Sequence, residues 1–177
     1  MSADRPRAID LKRDLPALYR PGSREFTEVV VPPTTYLTVD GHGDPNTSPA
    51  YLAAVQALYT TGYAVRAAFR HATGGAFVVG PLEGLWSSAD PTTFVTRDKS
   101  AWEWTMMIPL PDVVAAETIT EGIAAAAARG LDVPVDRVRV QRLDEGRCLQ
   151  IMHLGSFDDE APTLARLHDE IMPARGL

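Results

Sequence analysis

The sequence predicts an α+β fold, and three observations carry that expectation. Runs rich in β-branched and aromatic residues, such as Thr34-Thr35-Tyr36-Leu37-Thr38-Val39, favour strands. Two segments opened by a proline, at Pro49 and at Pro162, repeat apolar residues at helical spacing. The strand before each proline (residues 36–39 and 149–152) stands at the same offset from it, which marks an internal repeat.

Along the chain, the apolar runs 26–31 and 34–39 are separated by Pro32-Pro33, which removes two ladder donors and predicts a kink or bulge. Residues 40–47 read as a loop by their Gly, Asn and Pro content. Ser48 is placed as the N-cap of a helix with Pro49 at its first position, and Leu52, Val55, Leu58, Val65 and Phe69 form its apolar face. Residues 76–79 and 81–86 are expected as one interrupted strand, and 100–108 as the next, ended by Pro109. The intervening 87–99 read as a polar connection. An alanine-rich helix is predicted over 115–129, stopped at Gly130. Strands over 138–143 and 147–154 flank the turn Asp144-Glu145-Gly146. A last helix over 159–172 places Leu164, Leu167 and Ile171 on a buried stripe. The expectation is one domain over 1–177, with a first half at about 25–112 and a second at 113–177.

Composition narrows the function. The chain has 177 residues, a formal charge of −6, 45% hydrophobic and 23% charged residues, which excludes a largely disordered chain. The acidic balance argues against nucleic acid, which needs clustered Lys and Arg. No apolar run reaches the ~18 residues of a membrane span and Met1–Pro6 has no apolar leader, so a cytoplasmic location is expected. One cysteine, Cys148, excludes an internal disulfide and is read as a small buried residue. His42, His71, His153 and His168 show no metal-ligand spacing, so neither metal nor cofactor is expected.

The chemistry concentrates in residues 81–108. Glu83 stands between apolar neighbours on a predicted strand, where a carboxylate is costly unless it is paired or faces a cleft. Alternation puts Glu83 and Leu85 on one face with Trp86 opposite. On the next strand Trp102, Trp104, Met106 and Ile108 share a face, and Glu103, Thr105 and Met107 share the other. Paired tryptophans with a methionine suit a core; with a carboxylate beside them they also suit a cleft. Such a cleft would select lipophilic, often cationic, ring compounds by stacking and cation–π attraction.

These residues resemble a known family, the stand-alone GyrI-like small-molecule-binding proteins. The resemblance runs through Asp10-Leu11-Lys12-Arg13-Asp14-Leu15-Pro16-Ala17-Leu18-Tyr19-Arg20-Pro21, Tyr36-Leu37-Thr38-Val39-Asp40-Gly41-His42-Gly43-Asp44-Pro45-Asn46 and Ala54-Val55-Gln56-Ala57-Leu58-Tyr59. It is most specific at Pro81-Leu82-Glu83-Gly84-Leu85-Trp86 and Asp98-Lys99-Ser100-Ala101-Trp102-Glu103-Trp104-Thr105-Met106-Met107-Ile108. It implies duplicated strand–helix–strand–strand units forming a curved antiparallel sheet backed by helices, with a ligand cleft between the halves. It also implies binding of aromatic, lipophilic, often cationic drugs, and in some relatives hydrolysis of cyclopropane-bearing alkylating natural products. Relatives usually end in two more strands carrying a ligand-facing glutamate. That motif is not found before Leu177, so only Glu83, at the pseudo-symmetric position, is carried over.

The expected function is therefore small-molecule binding at Glu83, Trp86, Trp102, Trp104, Tyr36, Met106 and Met107. The alternatives are a cofactor-independent hydrolase with Glu83 as the catalytic group, and an interaction module, such as a homodimer, formed through the tryptophan face.

Overall fold

The structure, a computed structural model, describes residues 7–176; the leader reading on Met1–Pro6 concerns residues outside that range. Two one-turn helices, α1 (Leu11–Asp14) and α2 (Pro16–Tyr19), form a strap ahead of the first strand. Pro32-Pro33 then separates β1 (Thr27–Val31) from β2 (Thr34–His42). Neither proline can donate to a ladder, so the two strands part company at that point. The helix opened by Pro49 is α3 (Pro49–Thr73), closed by Gly74 in the left-handed conformation with its N–H on the Arg70 carbonyl. Then come β3 (Glu83–Ser87), α4 (Thr92–Thr96), β4 (Glu103–Leu110), α5 (Ala116–Ala127), β5 (Arg139–Leu143) and β6 (Gly146–Gln150). The final helical stretch runs from α6 (Ala161–Ala165) through a π-helical turn (Arg166–Ile171) into α7 (Met172–Ala174).

The expected α+β architecture of antiparallel sheets backed by helices is what the structure shows. One sheet has the order β3-β4-β2-β5; β1 pairs with β6 in a second, two-stranded sheet. All of these pairings are antiparallel. Because β1 leaves β2 at the prolines and β6 leaves β5 at Gly146, the second sheet diverges from the first and a hollow opens between them. No helix among the described residues is long and apolar enough to cross a membrane.

Register decides which face each side chain takes. Met107 lies opposite both Glu83 and Thr38, so these three share a face. Trp86, Trp104 and Gly41 line up on the other face, as do Gly84, Met106 and Val39. That second face carries the core, where Leu37, Val39, Trp104, Met106 and Ile108 pack against Leu58, Val65 and Phe69 of α3 and Ile119 of α5. Trp104 sits over Gly41, where an added Cβ would fall 2.1 Å from its ring.

Several expectations change. Residues 76–79 do not form a sheet strand: Phe77 makes an isolated parallel bridge with Ile9, and the ladder begins at Glu83. A 3-10 turn, Lys99–Ala101, delays β4 to Glu103 and leaves Trp102 outside it, while the strand continues through Pro109 to Leu110. The connection 87–99 contains α4 and buries Thr93. Leu52 is 62% exposed, since the buried face of α3 runs through Ala54, Ala57, Leu58, Thr61, Gly62 and Val65. Leu164 is exposed, and neither Leu167 nor Ile171 is fully buried.

Helices α3 and α5 touch backbone to backbone at Gly122, where a Cβ would lie 2.5 Å from the Val65 Cα. We predict that Gly122→Ala costs about 1–3 kcal/mol through overpacking, although alanine is the better helix former by ~1 kcal/mol. Thermal unfolding should show a Tm lowered by about 2–4 °C per kcal/mol. An unchanged or raised Tm would contradict this close approach.

Candidate functional site

The hollow between the two sheets, roofed by the strap, is a cavity of about 340 Å³. Its apolar wall comes from Leu11, Leu15 and Leu18 of the strap together with Val31 and Pro32 at the end of β1. Its polar groups are Tyr19, Thr34, Tyr36, Glu83, Asp112, Glu145 and Gln150, with the Thr34 hydroxyl donating to the Pro32 carbonyl at 2.8 Å. Three of these are carboxylates, Glu83 half-buried and Asp112 and Glu145 exposed, and among the described residues no Lys, Arg or His lines the space. A second groove of about 390 Å³ runs between α3 and α5. It is open, floored by alanines and edged by both Glu121 and Arg129, and reads as the seam where two helices meet.

Glu83 opens β3 at the half-buried floor of the cavity. The Tyr19 hydroxyl donates to its Oε1 at 2.9 Å, and the phenol of Tyr36 acts on the same carboxylate. Burial pushes the Glu83 carboxyl above its ordinary value, the Tyr19 and Tyr36 hydroxyls oppose that shift, and the charge of Glu145 adds to it. Both phenols are raised in turn, mainly by burial and then by the charge of Glu83. Among the described residues, the donors that stabilise this carboxylate are the two neutral phenols, in an enclosure whose wall is largely apolar.

Of the residues predicted from sequence, Glu83 and Tyr36 line this cavity. Met107 shares the Glu83 face but is buried and does not line the space. Trp104 and Met106 are packed in the core on the opposite face, with Trp104 only 2% exposed and its indole N–H on the Gly43 carbonyl. Trp86 is on that opposite face too, 40% exposed and stacked on Tyr51 of α3 at 6.3 Å. Trp102 packs against Phe94 and the edge of Trp86, its N–H directed at the Thr93 carbonyl. The structure therefore does not bring the tryptophans to Glu83. The physical reason is the β3–β4 register, which aligns Trp86 with Trp104 on the helix side and Glu83 with Met107 on the other.

Sequence reasoning passed over Tyr19 and Glu145. Tyr19 comes from a strap that crosses 64 positions to reach Glu83, and no local pattern announces such a contact. Glu145 was read only as a turn residue; Gly146, with φ of +61°, makes that turn tight enough to leave its neighbour at the cavity. Cys148, expected to be buried, is half-buried on β6, and burial raises its thiol pKa, the reverse of an activated nucleophile.

The family model described as the GyrI-like small molecule binding domain matches residues 24–177. Among solved structures, a conserved protein from Listeria innocua is 36% identical with a TM-score of 0.84, the match covering 95% of this chain and 82% of that one. Two more structures from the same organism are named hydrolases. One is 35% identical with a TM-score of 0.83, over 96% of this chain and 82% of the other. The second is 34% identical with a TM-score of 0.80, over 95% and 85%. No curated protein matches the chain.

The raised Glu83 carboxyl gives a stability test. Its folded pKa lies above the ordinary 4.5, so between the two values the folded state binds more protons and stability falls as pH rises. Glu83→Gln removes this titration. We predict that the Tm of Glu83→Gln relative to the parent protein climbs through that window and levels off above it. A difference independent of pH from about 4 to 8 would contradict the assignment.

Proposed function

The chain belongs to the GyrI-like small-molecule-binding domain family, and from the charge of its cavity we propose that it binds aromatic, lipophilic cations with Glu83 as the counter-ion. The observation that carries this reading is half-buried Glu83, with the exposed carboxylates of Asp112 and Glu145 beside it, around a largely apolar space that no basic side chain lines among the described residues. A cationic ligand supplies the missing positive charge where a neutral one leaves the carboxylate's burial unrelieved. The phenol rings of Tyr19 and Tyr36 add cation–π attraction of about 0.5–2 kcal/mol each, and the strap leucines cover the apolar part. A cavity of about 340 Å³ lies at the small end of the roughly 300–1,000 Å³ range of ligand sites, which favours one compact ring system. In this reading the tryptophans stabilise the sheet from its other side.

A hydrolase is the second reading, favoured by the names of two similar structures and by the raised Glu83 carboxyl. A carboxylate made more basic by burial takes a proton from water more readily. The resulting oxygen would attack a strained cyclopropane carbon, the ring C–C bond would break toward a conjugated carbonyl, and the proton would pass from Glu83 to that acceptor. The sum is addition of one water.

Two measurements separate these readings. Titration with the planar cation proflavine, followed by its fluorescence polarisation, should saturate and should weaken about tenfold or more in Glu83→Gln. That factor corresponds to loss of a charge-assisted contact of about 1.5–3 kcal/mol. Absence of saturation at high micromolar protein would contradict cation binding. For the hydrolase, mass spectrometry of a carbonyl-conjugated cyclopropane should show a gain of one water that disappears in Glu83→Gln; an unchanged substrate would exclude it.

A further inference from the structure

The donors around Glu83 restrict the kind of cation that suits the cavity. An ionised carboxylate offers about four acceptor positions. Tyr19 fills one of them at 2.9 Å, and the phenol of Tyr36 is the other neutral donor acting on the group. Among the described residues, none of the groups acting on the carboxylate is basic. Gln150 lines the cavity and gives one of its two amide N–H groups to the Ala17 carbonyl at 2.6 Å, tying down the strap; it is not one of the groups acting on Glu83. Asp112 and Glu145 contribute negative charge and no donor. Among the described residues, two phenols are thus the donors acting on half-buried Glu83, fewer than the acceptor positions an ionised carboxylate offers.

Resting on the cation-binding reading above, we propose that the site is specific for cations bearing N–H donors, protonated amines and above all flat amidinium or guanidinium groups, over quaternary ammonium ions. A quaternary ion supplies charge but covers the carboxylate with methyl groups and leaves its open acceptor positions unmet. An amidinium presents two parallel N–H groups that match one carboxylate, and it removes the cost of burying an unsatisfied acceptor. The leucines of the strap line the same cavity and would cover an aromatic ring carried by the cation.

Benzamidinium and phenyltrimethylammonium form a suitable pair of probes, since each joins one phenyl ring to one positive charge. Calorimetric titration should give benzamidinium at least tenfold tighter binding, and Glu83→Gln should weaken benzamidinium and reduce the ratio to within about threefold. Circular dichroism of the variant would confirm that it is folded. Equal affinity for the two probes, or a ratio that survives Glu83→Gln, would overturn the N–H specificity while leaving cation binding intact. Binding of neither probe would overturn the cation-binding reading itself, and this inference with it.

Discussion

A half-buried carboxylate that meets two phenols and, among the described residues, no basic group is the constraint around which the rest of this molecule is arranged. Glu83 keeps its place because three parts of the chain converge on it. β3 supplies the backbone, β2 supplies Tyr36, and the strap supplies Tyr19. The strap in turn is pinned at its ends by backbone bonds, Ile9 to Ala76 and Val78 on one side and Gly22 to Met152 on the other. Between those ends, among the described residues, its ties to the body are the Tyr19–Glu83 and Gln150–Ala17 hydrogen bonds. The same strap delivers three leucines to the cavity, so the polar contact and the apolar cover arrive together.

The four-stranded sheet then works as a partition. Alternation along β4 sends Trp104, Met106 and Ile108 into the core beneath α3 and α5, and turns Met107 toward the side of Glu83. Pairing with β3 and β2 extends that division across the sheet, so the face that stabilises the fold is separated from the face that carries charge. The charge of Glu83 is thereby kept off the face packed beneath α3 and α5, while Tyr36, Thr38 and Met107 on its own face are buried as well. What the hollow needs is divergence of the second sheet, and the chain obtains it at two points: the donor-less pair Pro32-Pro33 and the left-handed Gly146.

Local chemistry made much of this legible. β2 as far as Val39, the entry of α3 at Pro49, α5 and the β5–β6 turn follow from propensity, proline placement and glycine stops, whereas 40–42, read as loop, continue β2 by pairing with 103–105 of β4. Glu83 itself stood out because a carboxylate in an apolar strand needs a reason. What stayed hidden depends on long-range pairing. The run 76–79 looks like a strand, yet Ile9 takes its hydrogen bonds in a lone bridge. Trp102 reads as part of β4, yet the turn over Lys99–Ala101 removes it. Alternation correctly set Glu83 against Trp86, but the side of the sheet on which Trp104 falls relative to Glu83 is a matter of register, which residue spacing within one strand does not contain. Tyr19 and Glu145 reach the cavity through tertiary geometry alone.

The central claim is that cations bind on the Glu83 side of the sheet, under the strap, and not against the tryptophans. A crystal soaked with 4-bromobenzamidinium, with the bromine located by anomalous scattering, tests it most directly. The account predicts the amidinium against Glu83 with the bromine toward the leucines of the strap. A bromine peak beside Trp86 and Trp102, with the Glu83 cavity empty, would contradict it.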